Sequence, residues 1–166
     1  MKNLSLLIVM ITTSTILHAQ TGKATTIRTK KHRETSVSIE IKANEATIWK
    51  LLTNAQDFPR WNSTVTSIEG NIAGNEKIKL KSKLDAKRTF KLKVKEFDVN
   101  KKMVWSDKQG SRVYTLTKTD NGNVLFSMAE KIGGFMFPLY ANKIPSFDQA
   151  FEQFAKDLKT EAEKSN

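Results

Sequence analysis

The chain has 166 residues, 39% of them hydrophobic and 27% charged, with no cysteine and a formal net charge of +11. That length fits one domain with its own core, and the charged fraction fits a globular chain rather than a membrane bundle. Without cysteine there is no disulfide and no thiol nucleophile, so the core must hold the fold unaided.

The first residues read MKNLSLLIVMITTSTILHAQ. Lys2 precedes an apolar run from Leu4, and Leu17-His18-Ala19 supplies a small-residue end, the pattern of a secretory signal cleaved after Ala19. Thr12, Thr13, Ser14 and Thr15 interrupt the run, which is short for a bilayer span. Residues 1–19 are therefore expected to be a signal peptide and the mature chain to be exported, periplasmic or secreted. Export argues against a nucleic-acid partner. It leaves anionic lipid, anionic glycan or an acidic small molecule to match the positive charge.

Thr21 to Arg33 is polar and basic without apolar periodicity, so residues 20–33 are expected to be a flexible tail. ETSVSIEIKA then alternates, with Val37, Ile39 and Ile41 on one side, as in a half-buried strand. Asn44 is a good helix cap and Glu45 suits a first turn. Ile48, Leu51, Leu52 and Ala55 share one helical face, and Pro59 and Trp61 mark a second short turn. Six strand segments follow, from STVTSIEG to NVLFSMAEK, separated by turn signals at 71–75, Asp85-Ala86, 98–101, Gln109-Gly110 and 120–122. Such a meander places each strand beside its predecessor in one antiparallel sheet.

KIGGFMFPLYANKIPSF, from Lys131, holds paired glycines, two prolines and four aromatic rings, too broken for a regular element and too aromatic for an ordinary exposed loop. After it, Ser146 and Gln149 form a capping-box pattern behind Pro145. Phe147, Ala150, Phe151, Phe154, Ala155, Leu158 and Ala162 recur at helical spacing, the apolar stripe of a long final helix.

The last hairpin has two competing registers. A two-residue Asn121-Gly122 turn sets Thr117 against Phe126. A three-residue Asp120-Asn121-Gly122 loop, with glycine left-handed, sets Leu116 against Phe126, Tyr114 against Met128 and Arg112 against Glu130. The second unites apolar residues and opposite charges and is preferred. In the strand pair before it, Lys77, Lys79, Lys81 and Lys83, then Lys87, Lys91, Lys93 and Lys95, make one face a lysine field. That face is a solvated surface that resists edge pairing, or a dock for an anionic membrane surface.

The stretch IKANEATIWKLLTNAQDFPRWN resembles the opening pattern of the START-like, Bet v 1-like superfamily, which includes polyketide cyclases and lipid-transfer proteins. FSMAEKIGG, the aromatic linker and the long final helix match it too, and the resemblance spans Glu34 to Lys164, giving a ligand-binding domain at 34–164. It implies an α+β helix-grip fold: a curved antiparallel sheet of about seven strands wrapped around the C-terminal helix, with two short helices between strands 1 and 2. A cavity would lie between sheet and helix. The linker would cross its mouth, with Gly133-Gly134 as the bend and Phe135, Phe137 and Tyr140 as lid. Arg112, Tyr114, Leu116, Phe126, Met128 and Glu130 would line the concave face, with Phe90, Leu92 and Trp105 nearby. Trp61, Phe147 and Phe151 would complete the lining.

Such a cavity would hold a hydrophobic or amphipathic small molecule, lipid-like or polyketide-like, with its polar head at the Arg112–Glu130 pair. The chemistry for more is sparse. His32 lies in the expected tail, and no metal-ligand spacing, serine elbow or glycine-rich phosphate loop is present, so no cofactor is called for. Asp57, Glu69, Asp107, Arg112, Tyr114 and Glu130 remain as acid–base candidates for a cyclase- or dehydratase-like alternative. A third reading is an interaction domain whose cavity is filled by its own side chains. For export, N-terminal sequencing of protein recovered from its host should begin at Gln20 or close to it; an intact Met1 in a soluble intracellular pool would overturn the expectation.

Overall fold

The computed structural model describes residues 21–165, so the expected signal peptide at 1–19 lies outside the described residues. Local sequence signals set most elements. Strands β1 (Thr21–Arg28) and β2 (His32–Ile41) lead to helix α1 (Glu45–Thr53). Asn44 caps α1 by accepting the Thr47 N–H at 2.8 Å, and Ile48, Trp49 and Leu52 turn inward. A single turn, α2 (Phe58–Trp61), carries Pro59 in its first positions and buries Phe58 and Trp61. Six strands follow: β3 (Val65–Glu69), β4 (Lys77–Ser82), β5 (Asp85–Asp98), β6 (Lys102–Ser106), β7 (Gly110–Lys118) and β8 (Val124–Gly133). The linker contains the short helix α3 (Phe137–Tyr140), and the chain closes with α4 (Asp148–Ala162).

All eight strands form one curved antiparallel sheet in the order β1-β2-β8-β7-β6-β5-β4-β3. The meander from β3 to β8 is as expected; β2 joins it by pairing with β8, Val37 opposite Met128 and Ile39 opposite Phe126. The β7–β8 register is the charge-matched one, with Leu116 opposite Phe126, Tyr114 opposite Met128 and Arg112 opposite Glu130. Its loop is the three-residue type. Thr119 N–H donates to Asn123 O at 2.9 Å, Gly122 N–H to Thr119 O at 3.0 Å, and Gly122 takes φ 84°, a left-handed conformation that glycine adopts without side-chain strain. Between β4 and β5, Lys83 and Leu84 make the turn and Asp85-Ala86 already belong to β5.

Two expectations need correction at the chain's beginning and one before α4. Residues 20–33 were expected as a flexible tail, but Thr21–Arg28 is an edge strand and His32 opens β2, which raises the strand number from about seven to eight. β1 buries little apolar surface; backbone pairing to β2 and bonds to α4 hold it. Ala24 N–H and Lys23 Nζ both donate to Glu152, each at 3.1 Å, and Thr26 Oγ1 donates to Asp148 at 2.5 Å. The backbone bond from Ala24, then Lys23, holds the Glu152 carboxyl below its usual range. The expected capping box is not formed either. Phe147 occupies the cap position of α4, and Ser146 bonds to Asp148 instead.

Within the sheet's curve, α4 presents Phe151, Phe154, Ala155, Leu158 and Ala162 to the interior. Phe154→Ala should cost about 3–5 kcal/mol in denaturant unfolding, because the ring meets other rings on several sides and its removal leaves a void. A neutral result would mean that the stripe does not pack against the sheet.

Candidate functional site

Antiparallel pairing sends the β1–β2, β4–β5 and β6–β7 turns and the exit of β8 to one end of the sheet. Toward the other end the concave space is full. Phe154 reaches Phe58, Trp61, Tyr114 and Phe126 with ring centroids 6.2, 5.8, 6.0 and 6.2 Å away, and Trp105 packs edge-on against Tyr114 at 5.0 Å. Trp61, Tyr114, Leu116, Phe126 and Met128, expected as cavity lining, are therefore core. The rings of helix and sheet pack against one another where a ligand was expected.

What stays open is a cavity of about 270 Å³ at the linker end. Leu80, Phe90, Leu92, Ile132 and Ile144 give it an apolar wall, and Arg112 and Glu130 are among the residues lining it. Of the expected lining, Phe90, Trp105, Arg112, Glu130, Tyr140 and Phe147 border it. Phe151 lies behind it, stacked on Phe147 at 5.9 Å and beneath the Arg112 guanidinium at 5.1 Å. The lid expectation divides. Tyr140 borders the cavity. Phe137 is buried against Tyr140, with centroids 5.7 Å apart, and Phe135 points away from it, 98% exposed. Gly133-Gly134 do supply the bend. A Cβ on Gly133 would stand 2.8 Å from the His32 Cβ, and Gly134 takes φ 120°.

Arg112 and Glu130 form an ion pair through Nε and Nη2, with side chains 20% and 17% accessible. Burial works against the Arg112 charge, but Glu130 and Tyr114 outweigh it and hold the guanidinium above its usual range. Burial pushes Tyr114 up to about 12, against the pull of the Arg112 cation. Two further polar atoms of cavity-lining residues, Trp105 Nε1 and Ser106 Oγ, are buried without a hydrogen-bond partner among the described residues. The wall thus combines a fixed cation and its carboxylate, a set suited to receiving the acceptor group of an otherwise apolar molecule.

Arg33 was missed because it stood in the expected tail. It is buried, donates from Nη1 to the Ile144 carbonyl at 3.2 Å and lies 4.3 Å over the Phe147 ring. Burial, then nearby Arg28, lowers its pKa. No local motif marks this role; it depends on the β1–β2 hairpin lying beside the linker. The lysine face of β4 and β5 forms as expected, with Lys77 opposite Lys93 and Lys79 opposite Lys91. Lys79 is paired with Glu69 at 3.0 Å.

A sheet gripping a C-terminal helix, with a cavity at one end of the grip, defines the START-like helix-grip class. Residues 32–163 match the family model described as polyketide cyclase / dehydrase and lipid transport, and the chain belongs to that family. Among solved structures it is similar to a START superfamily protein from Mycobacterium smegmatis, with 14% identity and a TM-score of 0.58 over 80% of this chain and 99% of that one. A conserved protein of unknown function from Enterococcus faecalis gives 16% identity and a TM-score of 0.62 over 87% and 79%. A protein from Mesorhizobium loti gives 16% and 0.62 over 81% and 99%. No curated protein is significantly similar in sequence.

The shifted tyrosine is directly measurable. A group whose folded pKa is raised contributes stability that is complete below its unfolded value and fades as pH rises through the folded one. Tyr114 should therefore ionise late in an ultraviolet titration, and its share of stability should be lost between pH 10 and about 12. Tyr114→Phe should flatten that part of the stability profile. An unchanged profile would mean that the hydroxyl ionises as it does in water.

Proposed function

We propose that the protein is an exported carrier of one compact apolar or amphipathic molecule, held at the linker end of the sheet with an acceptor group turned to Arg112. The observation that carries this is an apolar cavity bordered by an ion pair. The family description, which covers cyclisation, dehydration and lipid transport, agrees with an apolar ligand. At about 270 Å³, the cavity sits just below the common range of about 300–1,000 Å³ for small-molecule sites. That suits a ring system or a short chain with a carbonyl, hydroxyl or carboxylate, and not a whole two-chain lipid. Each Å² of apolar surface covered contributes about 25 cal/mol before the costs of binding. An anionic membrane surface is proposed as a second partner, on the strength of the excess cationic charge. The cyclase- or dehydratase-like alternative would place Glu130 as the acid in the same cavity.

Displacement of a fluorescent apolar probe tests the proposal. Leu92→Trp should fill the cavity and abolish binding while the protein stays folded. Arg112→Met combined with Glu130→Leu should keep probe binding but lose the preference for ligands bearing an acceptor, because the pair is removed without stranding either charge. No binding of any apolar probe at micromolar concentration would overturn the carrier reading. Turnover that disappears in Glu130→Gln while binding persists would favour the enzyme.

A further inference from the structure

Six large apolar side chains stand exposed among the described residues, and five of them gather where the cavity opens: Ile27, Leu84, Phe135, Met136 and Leu139. Phe135, Met136 and Leu139, at 98%, 55% and 71% exposure, lie in or just before the α3 turn. Patches of this kind on an otherwise polar surface mark an interaction site. Backbone bonds fix this turn beside its neighbours. Gly134 N–H donates to Lys31 O at 3.3 Å, and Gly133 N–H to Gln109 O at 3.0 Å. Arg88 reaches Gln109 Oε1 at 2.9 Å and Arg28 reaches Asn142 Oδ1 at 2.9 Å. The three hairpin turns and the linker thus form one continuous rim.

That rim is cationic. Arg28 ends β1 and Lys30 and Lys31 lie in the β1–β2 turn; Lys83 lies in the β4–β5 turn, with Lys87 and Arg88 at the start of β5. Lys108 sits in the β6–β7 turn, while Lys131 and Lys143 flank the exposed apolar residues. None of these lysines makes an ion pair among the described residues. The carboxylates at this end are Glu34, which faces Lys131 across the β2–β8 ladder, Asp85, Asp107, Asp148 and Glu130, the last committed to Arg112. Asp107 is turned onto the Gln109 and Gly110 N–H groups, and Asp148 onto Thr26 and Ser146. The opposite end of the sheet mixes its lysines with Glu69, Glu76, Asp98 and Asp120. The charge is therefore polarised along the molecule, and the apolar tip lies at its positive pole.

We infer that this end docks on an anionic lipid surface, with Phe135, Met136 and Leu139 entering the headgroup region and the lysines of the rim facing the phosphates. Basic residues around a small apolar insertion are the combination that interfacial binding requires, since each contribution alone is weak and reversible. No helix among the described residues is long and apolar enough to cross a membrane, so the contact is peripheral. Docked in this way, the cavity mouth, bordered by Tyr140 and Lys143, faces the bilayer from which the ligand would be taken. That purpose rests on the carrier reading; the docking itself does not. The site differs from the lysine face of β4 and β5, where Lys77, Lys79, Lys91 and Lys93 surround a shallow pocket lined by Ile78, Phe90 and Leu92 and no large apolar side chain stands exposed among the described residues.

Co-sedimentation of the processed protein with vesicles tests this, using phosphatidylcholine alone and phosphatidylcholine mixed with phosphatidylglycerol. Binding should appear with the anionic vesicles and weaken with salt. Phe135→Ser combined with Leu139→Ser, both at exposed positions, should weaken it about tenfold without changing thermal stability. Lys131→Glu with Lys143→Glu should reduce both binding and its salt dependence. Lys77→Glu with Lys93→Glu, on the flat face, should have the smaller effect. Equal binding by the serine variant, or a larger loss from the flat-face variant, would overturn the inference. So would a dimer in sedimentation equilibrium that Phe135→Ser dissolves, since a second copy would then cover the patch. A soluble apolar probe binding in the absence of vesicles separates failure of docking from failure of the carrier reading.

Discussion

The ring of Phe154 stands between 5.8 and 6.2 Å from the rings of Trp61, Tyr114, Phe126 and Phe58, so one residue of α4 ties α2 to β7 and β8. Aromatic pairs at this spacing add about 0.5–1.5 kcal/mol each beyond the area they bury. Their geometric effect matters as much. The cluster closes the middle of the concave face, and the cavity lies beyond it, beside Phe147 at the start of α4. The position of the cavity follows from the position of that plug along the helix.

Arg112 and Glu130 occupy the boundary between plug and cavity. An ion pair in such a place recovers its desolvation cost only with good geometry and further partners, and an apolar pair of similar volume would often serve stability as well. Tyr114 on one side and Phe151 beneath the guanidinium give Arg112 its packing, while the side facing the cavity remains accessible. Arg33 does the corresponding work for the linker, covering Phe147 and holding the Ile144 carbonyl. Two arginines thus bracket Phe147 and Phe151, one fixing the wall of the cavity and the other its cover.

Hairpin chemistry and charge made the β7–β8 register legible, since only the three-residue loop brings Arg112 opposite Glu130 and Tyr114 opposite Met128. Helical spacing made the inward stripe of α4 legible for the same reason: one face must be buried. Alternation, however, reports which face of a strand is covered and not what covers it. Leu116, Phe126 and Met128 carry the same signal as Phe90 and Leu92, yet the first group meets the rings of the plug and the second borders open space. β1 was illegible because an edge strand held by its ladder and by Glu152 and Asp148 needs no apolar period. Arg33 was lost with it. Phe135 was misplaced because a broken aromatic segment does not reveal which of its rings turn inward.

The linker reconciles those opposite orientations. Phe137 turns in, held by the Gly134 carbonyl through its own N–H at 3.1 Å, and the Tyr140 hydroxyl donates back to the Gly133 carbonyl at 3.2 Å. The turn is therefore closed on itself. Its attachments to the rest of the molecule include the Gly134 bond to Lys31, the Arg28 bond to Asn142 and the Arg33 bond to Ile144. Phe137, at 1% exposure, anchors the turn to the interior, so opening it would cost that burial as well as the outside bonds. Phe135 and Leu139 project from the side of the turn facing away from the core. The same segment thus presents apolar side chains outward and borders the cavity with Tyr140.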